Sequence, residues 1–370
     1  MKVVRRVSYN SLRGDRMAYV VINKLNIANN ARYLLNLTGR AGVEMTSVTK
    51  VVCGDPEIVS KIIETGVREI GESRLENIDR IRKSGLSPTF LLLRLPSPQL
   101  YRKVVESVDY VLLSELKSLK ALKELSEELG RRLKFIYMVD TGDLREGVMY
   151  DRAFEELGEA VKIAGQSFAG IGTNLGCFGG VIATPEKFEI LLELGDRLCR
   201  EAGVEIERYS AGNTASLPLI ENGTLPRGIN HYRLGESIMC GTDVTNNRAV
   251  PGTTRETFTL YGTVLELKRK PSVPIGEIGS DAFGRKPHFE DMGERLKAIL
   301  DIGEQDVVPS GLTPMLEGCR VLHASSDHLI LDVTDCPKKL SVDDQIPFRM
   351  SYGALLRVMT SHYIIKEYRG

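Results

Sequence analysis

The amino-acid sequence predicts an α/β protein: a (β/α)8 TIM-type barrel followed by a mainly antiparallel β domain. Over residues 18–245, short β-branched runs alternate with longer stretches of helical periodicity, as in a parallel sheet whose strands are joined by helices. After Pro251, apolar residues alternate at period two between glycines and prolines, which is typical of antiparallel strands. The chain has 370 residues, which is long for one core and favours two domains.

The barrel prediction depends on the number of strand-like runs. A leading strand is predicted over residues 18–22. Eight further strands are predicted over residues 44–50, 69–71, 90–94, 110–113, 134–140, 168–173, 207–211 and 231–234. Helical periodicity separates them, most clearly over residues 25–37, 56–65, 116–129 and 186–202. Eight such units close a sheet into a barrel. An open, doubly wound sheet is the alternative that the pattern leaves.

The second domain is predicted over residues 246–370. Its strands are expected at residues 257–267, 320–322, 329–333 and 346–350, with one helix over residues 289–300. Residues 1–17 are basic, lack the apolar stretch of a signal peptide, and are expected to pack with this domain.

Composition excludes several classes of function. The chain has 49 basic and 49 acidic side chains, so its net charge does not direct it to nucleic acid or to an anionic membrane. No apolar run is long enough to span a bilayer. The six cysteines are scattered and never form Cys-x-x-Cys, which argues against a zinc site or a disulfide framework. This pattern suits a reducing compartment, and we expect a cytoplasmic protein.

Polar residues follow the ends of the predicted barrel strands. Lys50 ends the first of the eight strands, Asp143 and Arg145 follow the fifth, and Arg233 ends the eighth. The carboxyl ends of barrel strands converge on one rim, where barrel enzymes have their active sites. A lysine on this rim is either a solvated loop charge or an amine held for covalent catalysis.

The loops after the seventh and eighth strands have the composition of a phosphate site. Gly212 allows close approach of the backbone, Thr214 and Ser216 offer hydroxyl donors, and the residues after Gly235 offer backbone N–H groups. Taken singly, these are also ordinary βα turns. Together with Lys50 they fit a phosphorylated aldehyde held as an imine, which is the chemistry of pyridoxal 5'-phosphate.

Several short motifs occur in the order and spacing of one known family. They are T-K-V-V-C-G at residues 49–54, V-D-T-G at 139–142, R-L-G at 233–235, V-P-I-G at 273–276, and S-S-D at 325–327 followed by D-V-T at 332–334. Over nearly its whole length the chain therefore resembles the alanine racemase-like family of barrel-type pyridoxal-phosphate enzymes. The run G-T-N-L-G at residues 172–176 is most similar to the ornithine racemase subgroup.

The resemblance implies an amino-acid racemase that interconverts L and D enantiomers by two-base proton transfer. Lys50 is expected to form the internal aldimine and to act as one base. Arg233 is expected to hydrogen-bond the pyridine nitrogen, and Arg145 to lie near the phenolic oxygen. The other residues expected to bind the cofactor are Asn174, Asn213, Thr214, Gly235, Glu236 and Tyr352.

Two positions depart from the family pattern. The family continues V-P-I-G with a tyrosine, which is the second base and comes from the partner subunit of a homodimer with shared active sites. Here Glu277 stands in its place and is the expected second base, with Asp281, His288 and a displaced tyrosine as alternatives. Asn174 replaces a histidine; its amide can hydrogen-bond near the ring but cannot stack like an imidazole.

The expected substrate is a basic amino acid, ornithine or lysine. Asp143, Ser326 and Asp327 are expected to bind it, and the carboxylate that faces the distal ammonium is expected from Asp143, Glu146, Asp281 or Asp327. The alternative is that these carboxylates are exposed loop charges or partners of nearby arginines. An alanine or broad-specificity racemase also fits the family. So does a non-catalytic barrel that carries pyridoxal phosphate for homeostasis, although it would not need residues 251–370. A metal-assisted aldolase or dehydratase requires a metal pair, and His323 and His328 show no such spacing.

Overall fold

A computed structural model describes residues 18–370 of the protein and divides them into two compact units. The first unit is Lys24–Thr257, and the second combines residues 18–23 with Phe258–Gly370. The segment 1–17, predicted to pack with the β domain, lies outside the described residues. Among those that are described, no helix has the length and apolar character needed to cross a membrane.

The bounds of the elements are as follows. The strands are β1 (Tyr19–Asn23), β2 (Glu44–Val48), β3 (Glu69–Glu72), β4 (Thr89–Leu92), β5 (Tyr110–Leu113), β6 (Lys134–Asp140), β7 (Val148–Met149), β8 (Phe168–Gly172), β9 (Arg208–Gly212), β10 (His231–Leu234), β11 (Thr242–Asp243), β12 (Arg248–Ala249), β13 (Phe258–Pro271), β14 (Glu294–Leu300), β15 (Leu312–Pro314), β16 (Arg320–Ala324), β17 (Leu329–Asp332), β18 (Gln345–Met350) and β19 (Ile365–Arg369). The α-helices are α1 (Lys24–Arg40), α2 (Pro56–Ile63), α3 (Leu75–Lys83), α4 (Tyr101–Ser107), α5 (Leu116–Glu128), α6 (Ala153–Ala164), α7 (Pro185–Ala202), α8 (Leu217–Glu221), α9 (Glu236–Met239) and α10 (Tyr352–Thr360).

The first unit is a closed parallel barrel. Within residues 24–257, strands pair in the order β5-β4-β3-β2-β10-β9-β8-β6, and pairing of β5 with β6 closes the ring. The predicted (β/α)8 barrel is confirmed, and the open doubly wound sheet is excluded. The eight predicted barrel strands agree with the observed ones to within two residues at each end.

Buried apolar side chains from neighbouring strands pack together in the barrel. Leu91, Leu112, Ile136, Met138 and Ala169, from neighbouring strands, form one cluster. The helices cover the outer face of the strands with one apolar side each. In α2, for example, Ile58, Val59 and Ile62 are buried at helical spacing.

The second unit is built on an antiparallel sheet with strand order β15-β18-β13-β14-β17-β16. Strand β1 belongs to this unit because it pairs antiparallel with β13 and parallel with β19. The leading strand was predicted within a barrel domain of residues 18–245. The structure draws the division after Thr257 and assigns residues 18–23 to the other unit.

The helix predicted over residues 289–300 is wrong. Residues Glu294–Leu300 form strand β14, which pairs with β13 on one side and β17 on the other. Leu296, Ala298 and Leu300 recur at every second position, the period of a strand. Pairing on both edges supplies backbone hydrogen bonds that a helix would have to make internally.

One buried amide connects helix α1 to the segment that follows the last barrel strand. Asn30 is 1% exposed. Its Nδ2 donates to the carbonyl oxygens of Ile238 at 3.0 Å and Thr254 at 2.9 Å, and its Oδ1 accepts from the N–H of Thr254 at 2.8 Å. The segment after β10 is thereby held against α1.

We expect Asn30→Leu to lower the free energy of unfolding by at least about 2 kcal/mol. It leaves three buried backbone groups unpaired, each worth about 1–3 kcal/mol. Asn29→Leu, a change at the exposed neighbouring position, is the control and should shift stability by about 0.5 kcal/mol or less. Urea denaturation measures both variants, and equal stabilities would contradict this account.

Candidate active site at the barrel rim

Lys50 lies two residues beyond the end of β2, on a short 3₁₀ turn formed by Lys50–Val52. The chain then passes through left-handed conformations at Cys53 and Gly54. A side chain at Gly54 would meet Cβ of Asn77 at 2.9 Å, so glycine is required there. Lys50 is half-buried, and no described acidic side chain forms an ion pair with its Nζ. Within the described part of the chain, the amine therefore lies on the rim without a carboxylate in direct contact.

A buried carboxyl group fastens the residue before Lys50. Glu72, at the end of β3, is fully buried. Its Oε1 accepts from Thr49 Oγ1 at 2.5 Å, and its Oε2 accepts from Asn77 Nδ2 at 2.8 Å and from the N–H of Ser73 at 3.3 Å. Burial raises the pKa of Glu72, while these bonds and the charge of Lys50 act in the opposite direction. Glu72 therefore fixes the turn that presents Lys50.

Arg233 is a buried cation without a carboxylate contact among the described residues. Its Nη1 donates to the carbonyl oxygen of Ser210 at 2.6 Å and to the Ser210 hydroxyl, and its Nη2 donates to the carbonyl oxygen of Thr173 at 2.6 Å. Burial lowers the pKa of Arg233 to about 10, so it stays charged at neutral pH. Neutral oxygens thus orient the guanidinium group and leave its charge available to a ligand.

The two predicted phosphate loops lie side by side. Thr214 Oγ1 is 3.0 Å from Ser237 Oγ and accepts from the N–H of Ser237 at 3.2 Å. Asn213 caps the turn Thr214–Ser216 by accepting from the N–H of Ala215, and its Nδ2 donates to the carbonyl oxygen of Leu175 at 2.6 Å. The structure therefore brings Asn213 and Thr214 to the loop that begins helix α9 after Gly235.

Two side-chain atoms near these loops are buried without partners among the described residues. They are Ser216 Oγ and Asn174 Nδ2. A buried donor without a partner costs about 1–3 kcal/mol, so a ligand that accepts from it is favoured. An oxygen-rich anion has the acceptors that both atoms require.

The carboxylate of Glu236 already has partners. Its Oε1 accepts from Thr242 Oγ1 at 2.7 Å and from the N–H of Val244 at 2.9 Å. Burial raises the pKa of this group. Because a carboxylate does not attract a phosphate, only the backbone of Glu236 suits the predicted cofactor contact, which stays a prediction.

Asp143 binds a loop with both of its carboxylate oxygens. Oδ1 accepts from the backbone N–H groups of residues 176, 179 and 181, and Oδ2 accepts from those of residues 177 and 178, at 2.8 to 3.4 Å. The side chain is 1% exposed. Asp143 was predicted to face a substrate ammonium. Its contacts here are those of a loop anchor, and its role toward a substrate stays a prediction.

Arg145 forms an ion pair with the neighbouring Glu146, in which Nη2 donates to Oε1 at 2.5 Å. Burial lowers the pKa of Arg145, but this pairing outweighs burial and the net shift is upward. Its predicted contact with a cofactor oxygen stays a prediction.

Comparison with known proteins identifies the family. The family model described as alanine racemase, N-terminal domain, matches residues 22–243. A lysine racemase from Thermotoga maritima is 45% identical over 94% of this chain and 98% of its own. An ornithine racemase from Acetoanaerobium sticklandii is 40% identical over 94% of this chain and 97% of its own. The chain belongs to the alanine racemase family. The resemblance predicted from the motifs is therefore confirmed.

A solved member of this family shares the fold. The alanine racemase from Bartonella henselae, described with covalently bound pyridoxal phosphate, matches with a TM-score of 0.71 and 17% identity. The match covers 95% of this chain and 99% of that chain. It supports both the barrel and the antiparallel sheet that follows it.

The remaining predicted site residues lie in the second unit. Glu277, Ser326 and Asp327 are exposed, and Ser326 Oγ donates to Asp327 Oδ2 at 2.6 Å. Tyr352 is the first residue of helix α10. Their predicted roles at the rim stay predictions. Within residues 18–370, no three His, Cys, Asp or Glu side chains are grouped to hold a metal ion.

Sequence reasoning missed Glu72 and the partners of Arg233. The signal was the sequence Glu-Ile-Gly-Glu of β3, which puts two carboxyl groups in one predicted barrel strand. The structure buries all four of these residues. Two carboxyl groups in one buried strand require nearby partners. What the sequence did not indicate was which residues those partners are.

We expect Asp143→Asn to release the loop of residues 174–181. An amide would place an NH2 group against backbone donors that now meet a carboxylate oxygen. Limited proteolysis of the protein without substrate should cut this loop at least about tenfold faster, since the carboxylate contacts are charge-assisted. Asp151→Asn, at an exposed position, is the control. Unchanged cleavage would show that Asp143 does not anchor the loop and would return it to the substrate candidates.

Proposed function

We propose that this protein is a pyridoxal-phosphate-dependent amino-acid racemase acting on a basic amino acid, lysine or ornithine. The observation that carries the proposal is full-length similarity to a lysine racemase and an ornithine racemase. Two cations on one barrel rim agree with it: a lysine that forms no ion pair within residues 18–370, and a buried arginine. A cytoplasmic location is part of the same proposal. All six cysteines lie within the described residues, and none of them forms a disulfide bond.

The residues of the rim fit pyridoxal 5'-phosphate. Lys50 offers an amine that can hold the aldehyde, and Ser216 Oγ is a buried donor suited to phosphate. Thr214 and the backbone after Gly235 complete the phosphate loops, with Tyr352 as a proposed further ligand. Arg233 would face the pyridine nitrogen, with Arg145, Asn174, Asn213 and the backbone of Glu236 around the cofactor. When bound, the cofactor would supply the electron sink that acidifies the substrate's Cα–H.

Lys50 and Arg233 would have separate tasks. Lys50 would take or return the proton on one face of the substrate's Cα. Arg233 carries only donors and keeps its own proton at neutral pH, so it would orient a ring without protonating it. This arrangement favours simple reprotonation at Cα over other reactions of the carbanion.

Racemisation requires a second base on the opposite face. We propose Glu277, which stands where the family has a tyrosine. It is exposed, and none of the described residues pairs with its carboxylate. We further propose a homodimer in which the second unit of each chain contributes Glu277 to its partner's rim. Such an interface is isologous, with the same patches on both subunits.

The substrate's distal ammonium needs an anionic partner. Asp143 has both carboxylate oxygens occupied by backbone donors. Of the predicted substrate-binding residues, Asp327 is exposed, and within residues 18–370 its carboxylate bonds to Ser326 alone, which favours these two. Assays with both enantiomers of lysine, ornithine and alanine separate this proposal from an alanine or broad-specificity racemase. A non-catalytic carrier of the cofactor would convert none of them.

We expect Lys50→Ala to abolish racemisation and the absorbance band of the bound cofactor, because the covalent attachment is lost. Borohydride reduction of the wild-type protein should fix the cofactor on the peptide that contains Lys50, as read by mass spectrometry. Lys61→Ala, at a half-buried lysine of the next helix that pairs with Glu64, should behave like the wild type. A Lys50→Ala protein that keeps both the band and the turnover would overturn the assignment.

We expect Glu277→Gln to lower turnover by about a hundred- to ten-thousandfold, the usual contribution of a positioned general base. Deuterium exchange at Cα from heavy water should persist for one enantiomer, because Lys50 still serves its own face. Glu290→Gln, an exposed glutamate in the same segment, is the control. Mixing Lys50→Ala subunits with Glu277→Gln subunits should restore part of the activity if sites are shared.

Other results would redirect this assignment. If Glu277→Gln exchanges both enantiomers at wild-type rates, Glu277 is not the second base. The same test then applies to Asp281, His288, Ser326 and Asp327. A fully active monomer in sedimentation would exclude shared sites.

A further inference from the structure

The interior of the barrel contains a line of polar side chains. Thr46, Glu69, Ser210, His231 and Arg233 are all buried. Thr46 lies opposite Glu69 and Arg233 in the register, and Ser210 lies opposite His231. Because side chains alternate between the two faces of a strand, residues two apart share one face. Barrel interiors are usually filled by Val, Ile and Leu, so polar residues at these positions require another explanation.

Hydrogen bonds connect these residues without a break. Arg233 Nη1 donates to Ser210 Oγ, which lies 2.7 Å from His231 Nδ1. His231 Nε2 lies 2.7 Å from Thr46 Oγ1, and Thr46 Oγ1 donates to Glu69 Oε1 at 2.5 Å. We name the four residues Ser210, His231, Thr46 and Glu69 the barrel chain.

Glu69 at one end of the barrel chain and Arg233 beside its other end restrict the direction of the hydrogen bonds between them. An ionised carboxylate accepts only, so the single hydroxyl hydrogen of Thr46 goes to Glu69, and Thr46 Oγ1 must accept from His231 Nε2. A guanidinium group donates only, so Ser210 Oγ accepts from Arg233 and has its own hydrogen free for His231 Nδ1. The geometry therefore puts a hydrogen on Nε2 of His231. Burial of the ring and the charges of Arg208 and Arg233 disfavour a second hydrogen on Nδ1, which gives the neutral tautomer protonated on Nε2.

The far end of the chain is a buried ion pair. Arg208 Nη1 donates to Glu69 Oε1 at 3.0 Å, and Arg208 Nη2 is 2.9 Å from Glu69 Oε2. Burial raises the pKa of Glu69. Hydrogen bonds from His231 and Arg208, together with the charge of Arg208, outweigh burial and lower this pKa to about 2. The pair borders a cavity of about 690 Å³ at the starts of the strands, opposite the rim with Lys50. Glu69 is thus a fixed anion.

We propose that the barrel chain positions Arg233, and that neutral His231 is its central positioning residue. Two of the three guanidinium nitrogens, Nη1 and Nη2, are held by the chain and by Thr173. Nε and the second hydrogen of Nη2 have no partner among the described residues, so these two donors are left for a ligand. The consequence for pyridoxal phosphate rests on the function proposed above, whereas the tautomer of His231 does not.

The first test uses the full-length protein without cofactor. Nitrogen-15 NMR of the imidazoles, with His231→Gln to assign the signal, should show His231 neutral and protonated on Nε2. Burial lowers the pKa of His231 from the ordinary histidine value of 6.5. The ring should therefore stay neutral at pH values somewhat below 6.5. The charged groups that surround it are Glu69 and Arg208 on one side and Arg233 on the other. A hydrogen on Nδ1, or a charged ring at pH 6.5, would overturn the assignment.

The second test uses a matched pair of variants. Thr46→Val keeps the shape but removes the hydroxyl, whereas Thr46→Ser keeps the hydroxyl. We expect Thr46→Val to weaken pyridoxal-phosphate binding about tenfold and to lower kcat with little change in KM, as for loss of one hydrogen bond to a charged group. Its His231 NMR signal should also shift. Thr46→Ser should match the wild type in all these readouts.

Ser210→Ala is a second variant that tests the proposal even if Thr46→Val does not fold. It removes the link to His231 but keeps the carbonyl oxygen that accepts from Arg233. It should reproduce the weaker cofactor binding and the lower kcat. If both variants fold and both match the wild type, the chain does not position Arg233. If the wild-type protein neither binds pyridoxal phosphate nor racemises, the proposed function fails, while the NMR result still decides the tautomer.

Discussion

Closure of the parallel barrel is the constraint on which the rest of the structure depends. Pairing of β5 with β6 completes the ring, so the carboxyl end of every strand lies on one rim. Strand β10 pairs with β2, and Leu234 lies opposite Ser47. Lys50 and Arg233 are far apart in the sequence, but this pairing puts them at the same edge. The short distance between the strands follows from backbone hydrogen bonds alone, before any side chain contributes.

The interior then has to accommodate charge. A carboxylate beside Arg233 would satisfy the cation but would also occupy the donors that a ligand needs. The barrel instead places its anion, Glu69, at the opposite end and connects the two through neutral groups. Glu69 stays ionised because it pairs with Arg208, and Arg233 stays charged because its pKa remains at about 10. Hydroxyl and carbonyl oxygens thus orient Arg233, and they carry no charge that would neutralise it.

The sequence predicted what local patterns determine. The eight barrel strands could be predicted from their short apolar runs. The location of Lys50 and Arg233 on the rim could be predicted from their positions at strand ends. It failed where partners distant in the chain decide: β14 was assigned to a helix, and β1 was placed with the barrel. The hydrogen bonds of Glu69 and His231 join β2, β3, β9 and β10, and no local pattern indicates them. A carboxylate such as Asp143 looks the same whether it binds backbone amides or a ligand.

Strand β3 connects these observations. Glu69 and Glu72 are three residues apart, so alternation directs them to opposite faces of the strand. Glu69 faces the barrel interior, where Arg208 and His231 keep its pKa low. Glu72 faces the helix layer, where it meets Asn77 of α3 and no arginine or lysine forms an ion pair with it among the described residues. One strand thus supplies an anchor for each of the two rim cations: Glu72 contacts Thr49 beside the Lys50 turn, and Glu69 is connected to Arg233 through the barrel chain.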